Sequence, residues 1–283
     1  MGQKVNSSIF RLGLKTTEWK YKYIEKNPEE SSRFLYKNIE IKNYINNIFK
    51  RYNILLNSCK IEYTQTAVNV IVSFYELKSQ TKTFYLKHQN NKDFFKHPKN
   101  GKELISFLIT QVINVSLSLY VKNKIINIKV KDLNKTFESN IRTTKHHFNE
   151  YKKLVKHLRR FLRNPVQKDF IKILFIGVFN KNSSKLVADA IATFITKNKK
   201  QHNYLMYILK RTINKLINSP FSQIKGIKII ISGRFNGVPR SKKKSLKIGV
   251  IPLQSFNSKI DYHQSVAYTP NGTFGIKVWI CEK

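Results

Sequence analysis

The stretch GIKIIISGRFNGVPRSKKKSLKIGV, residues 226–250, decides the fold. Ile227, Ile229 and Ile231 recur at period two, the signature of a β-strand with one face buried, and Leu246, Ile248 and Val250 resume the same period. Between the two patterns the sequence predicts a loop from which Arg234, Arg240, Lys242, Lys243 and Lys244 project, followed by Lys247. Gly233 and Gly237 would let that loop's backbone approach phosphate closely. Toward the C-terminus, further strands are expected around Ile260–Ala267 and Phe274–Ile280, joined by the turn Thr269-Pro-Asn-Gly272. Toward the N-terminus, Leu186, Val187, Ala190, Ile191, Phe194 and Ile195 form one helical face, and Tyr204, Leu205, Ile208, Leu209, Ile213 and Leu216 another. A basic linker with Lys199 and Lys200 joins these two helices, the second of which carries Lys210 and Arg211. Residues 181–283 therefore read as two helices on a mainly antiparallel four-stranded sheet.

Further upstream the signals are shorter. Residues 1–31 read as an extended basic arm with Lys4, Arg11 and Lys15. An amphipathic helix follows over 32–52, then two strands, 59–65 and 68–77, read as a hairpin. Residues 78–100 read as loop or insertion, 102–120 as a helix, 124–130 as a strand and 131–147 as polar irregular chain. Tyr151, Leu154, Val155, Leu158, Phe161 and Leu162 make an apolar stripe ringed by lysines and arginines, ending at Asn164-Pro165. The continuous apolar run 170–179 fits a buried central strand.

Charge narrows the function. The 283 residues carry 53 Lys+Arg against 16 Asp+Glu, a formal net charge of +37. So large an excess repels itself unless a polyanion balances it, and nucleic acid is the commonest such partner. Acidic residues are absent between Asp189 and Asp261, whereas a merely solvated surface would mix both signs. With 41% hydrophobic and 12% aromatic residues the chain can bury a core and is no low-complexity tail. No run approaches the roughly 18 uncharged apolar residues of a membrane span. Cys59 and Cys281 lack the paired spacing of a disulfide framework or a zinc cluster. Catalytic patterns are poor: His146-His147 with Glu150 lacks the spacing of a zinc helix, Asp261 and His263 share one strand face, and no P-loop or nucleophile elbow occurs. No enzyme, cofactor or metal site is expected. Heavy use of Lys, Asn, Ile, Phe and Tyr matches AT-rich coding, as in organellar genomes. MGQKVNSS shows neither an apolar signal core nor an Arg/Ser-rich presequence, so work in an organelle would imply synthesis there.

The opening MGQKVNSSIFRLGL, the KLVADA segment at 185–190, and the ordered phrases GIKIIISGRFNGVPR (226–240), VIPL (250–253), IDY (260–262) and NGTFGIKVWI (271–280) resemble the small-subunit ribosomal protein three family. The resemblance implies an α+β protein: an N-terminal KH type II-like domain over 32–180, with an insertion at about 79–165, and a C-terminal α/β domain over 181–283. A KH domain grips RNA through a GxxG turn; the nearest candidate, Pro98-Lys99-Asn100-Gly101, keeps only the second glycine. On this reading 170–178 is the closing KH strand, with 125–130 as the competing choice. The family also lines the mRNA entry channel with cations on the second C-domain helix, where Lys210 and Arg211 match and Met206 and Tyr207 do not. The implied partners are small-subunit rRNA, mRNA and neighbouring proteins of the subunit head, with no membrane, in a mitochondrion rather than a plastid.

Overall fold

The computed structural model describes residues 5–14, 19–77, 125–142, 145–162, 164–198, 202–219 and 222–283. The chain divides into two compact units, Trp19–Thr136 on one hand and Met1–Glu18 with Phe137–Lys283 on the other.

The first unit holds β1 (Tyr21–Lys22), α1 (Glu30–Arg51), β2 (Ile54–Tyr63), β3 (Ala67–Glu76) and β4 (Ile125–Asp132), the strands in one sheet of order β1-β2-β3-β4. Ile41, Ile45, Ile48 and Phe49 recur on one face of α1 and bury against Ile61, Val68, Val70, Val72 and Phe74 of the sheet. Asn53 ends the helix in the left-handed region, at φ 54°, which asparagine tolerates better than most residues, and the chain turns into β2. β2 and β3 form the expected antiparallel hairpin, but β2 starts at Ile54, five residues earlier than the period-two signal suggested. β4 runs parallel to β3, from Ala67 opposite Ile125 to Phe74 opposite Asp132.

This pairing corrects the choice of closing strand. Residues 170–179 are not a strand: they belong to α4 (Pro165–Phe179), in the second unit. A continuous apolar run cannot by its pattern distinguish a buried strand from a helix buried on all sides. Here Pro165 at the first helical turn begins the helix, and Gly177 keeps it close to its neighbour, since a Cβ there would lie 2.7 Å from Val187 Cγ2. The strand that completes the first sheet is the competing choice, 125–130, which runs on to Asp132. Residues 131–147, expected to be irregular, instead contribute α2 (Leu133–Arg142) and the start of α3 (Lys145–Leu158). The helix expected over 102–120 and the Pro98–Gly101 turn lie outside the described residues.

The second unit is built on β5 (Ile224–Gly233), β6 (Lys242–Gly249), β7 (Ile260–Thr269) and β8 (Gly272–Glu282), in the order β6-β5-β8-β7, all antiparallel. α5 (Ser184–Lys197) and α6 (His202–Ile217) pack on the face carrying Ile227, Ile229, Ile231, Phe274, Ile276, Val278 and Ile280, all buried. α4 packs against α5 and α6 in turn, with Phe170 and Phe194 rings 4.9 Å apart. Two helices on a four-stranded antiparallel sheet match the expectation for residues 181–283. Among the described residues no helix is long and apolar enough to cross a membrane.

Candidate nucleic-acid interface

The cations singled out by sequence do not form one class. Arg11 is buried, with 1% of its surface exposed. Its Nη1 donates to the Ser7 carbonyl at 2.9 Å, and its Nη2 donates to the carbonyls of Leu253 at 2.9 Å and Ser255 at 2.7 Å. Burial lowers its pKa, partly offset by the nearby Cys281 sulfur. A guanidinium so engaged is a clasp holding residues 7–11 to the 252–255 loop, and Phe10 stacks on Phe256 beside it, ring centroids 4.2 Å apart. Arg11 is therefore corrected from RNA contact to structural tie. Lys4, Lys15, Lys199 and Lys200 lie outside the described residues.

The remaining cations are carried by α6 and the β5–β6 edge. Arg234, Arg240, Lys242, Lys243 and Lys247 are exposed, as are Lys210 and Arg211 on α6. The expectation that Lys242–Lys244 sit in a loop is overturned, because β6 begins at Lys242, which pairs with Gly233. No apolar residue marks this end of the strand, so hydropathy was blind to it. The backbone ladder nevertheless continues through Lys243 opposite Ser232 and Lys244 opposite Ile231. Successive side chains of a strand point to opposite faces, so the three lysines are split. Lys242 and Lys244 share the face of the buried Leu246, the helix side, and Lys243 shares the other with Lys247.

Lys244 bridges to α6: its Nζ donates to the Asn203 side chain and lies 4.6 Å from the centroid of the Phe235 ring. Asn203, Tyr207 and Arg211 recur at i, i+4 and i+8 along α6, and Arg211 donates to the Tyr207 hydroxyl at 2.8 Å. Tyr207, at a position where the resembled family carries a cation, thus positions one. Lys210 stands next to this stripe, and the Lys244 bridge ties the exposed helix cations to the β6 edge.

The turn between β5 and β6 is fixed by His202 and Asn236, neither of which the sequence reading singled out. Asn236 adopts φ 55° and Gly237 φ 81°, and the Asn236 backbone N–H donates to His202 Nδ1 at 3.0 Å while its side chain accepts from the His202 backbone N–H at 3.3 Å. His202 is buried edge-on against Phe274, centroids 4.9 Å apart, and its pKa falls below the usual 6.5 because of desolvation and then the Lys244 charge. A neutral ring accepting at Nδ1 follows. The Asn236-Gly237 pair was the one signal pointing to this turn. Gly233, expected to admit phosphate, instead admits Phe274, whose ring would lie 2.4 Å from a Cβ. Arg234 is aimed by its Nε bond to the Val238 carbonyl at 3.1 Å.

The carboxylates of this domain are engaged internally. Asp261 accepts from the Ser184 N–H at 2.8 Å, at the start of α5. Glu282 accepts from the Asn182 N–H at 2.7 Å and pairs with Lys259 at 3.1 Å. Asp261 is thus a helix cap, and the exposed cations of residues 222–250 have no acidic residue among them.

Residues 197–280 match the family model described as ribosomal protein S3, C-terminal domain. The chain is 34% identical over 119 residues to a protein of the Elm witches'-broom phytoplasma named small ribosomal subunit protein uS3, a match covering 42% of this chain and 46% of that protein. Proteins of the same name from Endomicrobium trichonymphae and Karelsulcia muelleri are each 34% identical, over 122 and 131 residues, covering 43% and 46% of this chain and 52% and 53% of theirs. The chain thus spans about half the length of the curated relatives it matches.

Proposed function

We propose that the chain is a member of the small ribosomal subunit protein uS3 family, which the match of residues 197–280 and the 34% identity to relatives of that name support, and that it is a structural, non-enzymatic constituent of the small ribosomal subunit. Its partners on this reading are rRNA and neighbouring proteins of the subunit head, and Lys210 and Arg211 contribute to the mRNA entry channel. The observation that carries the reading is a coincidence of place. The segment matching the family model, residues 197–280, is also the one whose exposed cations, Arg234, Arg240, Lys242, Lys243 and Lys247, are unaccompanied by exposed carboxylates. Such a surface suits the phosphates of a nucleic acid and gains affinity by releasing counterions.

The first unit is proposed to be the KH type II-like domain. Its helix followed by a hairpin, with a third strand parallel to the second, supports this reading. The segment Pro98–Gly101 keeps one glycine of the pair that lets a KH loop approach RNA, so we expect this domain to grip free single-stranded RNA poorly. A mitochondrial location is proposed from the Lys-, Asn- and Ile-rich composition.

Gradient sedimentation of an epitope-tagged chain tests the central claim. Co-migration with small subunits after a high-salt wash is the expected result. A light peak free of subunits would overturn it and favour a free RNA-binding factor derived from the same fold.

A further inference from the structure

One face of the C-terminal sheet is covered by α5 and α6; the other carries a different chemistry. Because directly paired residues of a sheet share a face, the register fixes what stands in each row across the outer side. One row reads Lys247, Lys228, Trp279 and Tyr262 from β6 to β7; the next reads Ser245, Ile230, Lys277 and Gln264; the third reads Lys243, Ser232, Gly275 and Val266. Tyr268 follows on the same face, with 75% of its surface exposed. Lys243, Lys247 and Lys277 are exposed as well. In the first row the side chains already touch: Lys228 Nζ lies 5.4 Å from the Trp279 ring centroid, and the Trp279 and Tyr262 rings are 5.0 Å apart at 35°. The loop carrying Ile251 and Leu253 covers the end of this face, around Ile260 and Cys281, and packs against Trp279, which stays half-buried.

We infer that this outer sheet face is a docking surface for single-stranded RNA, with bases stacked on Trp279, Tyr262 and Tyr268 and phosphates held by Lys243, Lys247 and Lys277. The choice of RNA over another polyanion rests on the function proposed above. Charge complementarity commits the face to an anion, since four of its outward residues are lysines and none is acidic. The aromatic rings commit it to a base-bearing one. An acidic peptide would use the lysines and leave the rings idle, whereas unpaired bases offer planar faces that stack on them. A duplex keeps the faces of its bases stacked internally and presents phosphates, 2′-hydroxyls and base edges, none of which stacks on a ring. The surface shares Lys243 and Lys247 of the β6 edge with the cations described above, but not those of α6 or of the β5–β6 turn, which lie on the helix side and at the sheet's end.

Trp279 supplies its own reporter. The sequence has two tryptophans, Trp19 and Trp279, so Trp19→Phe in the full chain leaves Trp279 alone. Titration with an oligouridylate of about 12 nucleotides, within the footprint of a single sheet platform, should quench its fluorescence. A blunt RNA duplex of equal length and polyglutamate should not. Combining Lys247→Ala, Lys277→Ala and Tyr268→Ala, all at exposed positions, should weaken the oligouridylate at least about tenfold while the far-ultraviolet spectrum is retained. Binding without quenching, equal quenching by duplex or polyglutamate, or unchanged affinity in the triple variant would overturn the inference. Should that happen while the chain still sediments with small subunits, the proposed function stands and only this surface falls. Quenching by the single strand in a chain that fails to sediment with subunits would mean the opposite: the surface stands and the ribosomal role falls.

Discussion

A guanidinium can stay buried and charged only if its fixed fork of donors is answered, and in Arg11 the answer is a set of backbone carbonyls. Lysine has neither the planar geometry nor enough reach along several directions to replace it. Arg11→Lys is therefore expected to destabilise the chain by about 2–4 kcal/mol in chemical denaturation while leaving the salt dependence of RNA binding unchanged. A variant of normal stability whose salt slope is lower by about one would show instead that Arg11 meets phosphate. His202 makes a second prediction at this scale. The unfolded chain takes up its proton near the ordinary 6.5, the folded chain only at lower pH. The stability supplied by the neutral ring is thus full above about pH 6.5 and drains as the pH falls toward the folded value. Unfolding midpoints measured between about pH 7 and pH 5 should fall more steeply for the native chain than for His202→Gln, which keeps an acceptor for the Asn236 N–H without titrating. Parallel curves would exclude His202 as the source.

Lysines that follow one another in sequence can diverge in role once a strand separates them onto two faces. Lys244, held by Asn203 and the Phe235 ring, belongs to the packing of α6 on β6, whereas Lys242 and Lys243 end in solvent. Substituting both Lys242 and Lys243 by Ala should lower the salt slope of rRNA binding by about two and leave the thermal midpoint nearly unchanged. Lys244→Ala should shift the midpoint and hardly alter the slope; identical behaviour of the two variants in a titration series would contradict the split. This is also where the sequence stopped being legible. Isoleucines at 227, 229 and 231 announced β5, and α5 and α6 were plain in their apolar stripes, because burial of one face writes a period into the chain. β6 opens with three lysines, so the start of its register is set by the backbone ladder alone and leaves no trace in hydropathy. α4 is buried from Phe170 to Val178 except at Lys172, so this stretch shows no polar face to betray its period, and it read as a strand. Of the interface, the cations were visible as a one-signed run, but their aiming was not. The His202–Asn236 clasp joins residues 34 positions apart, and no local pattern reports such a pair.

At the scale of the whole molecule, a net charge of +37 acts in opposite senses on stability and on binding. Self-repulsion strains the compact state and is relieved as added salt shortens the screening length. Competition with released counterions meanwhile weakens every phosphate contact. Raising salt from about 50 to about 200 mM should therefore raise the melting temperature of the free chain while lowering rRNA affinity by orders of magnitude. A melting temperature that falls with salt would mean that the cations are already compensated within the folded chain. The Arg11 clasp has a further consequence, which concerns time. The arginine and its Leu253 and Ser255 acceptors are separated by 242 and 244 positions, so a ribosome making this chain releases the arginine long before its acceptors exist. Contacts so distant in sequence close late. Until residues 253–255 are made, residues 7–11 have nothing to fasten to, so the Arg11 clasp closes only after β5 and β6 have been translated.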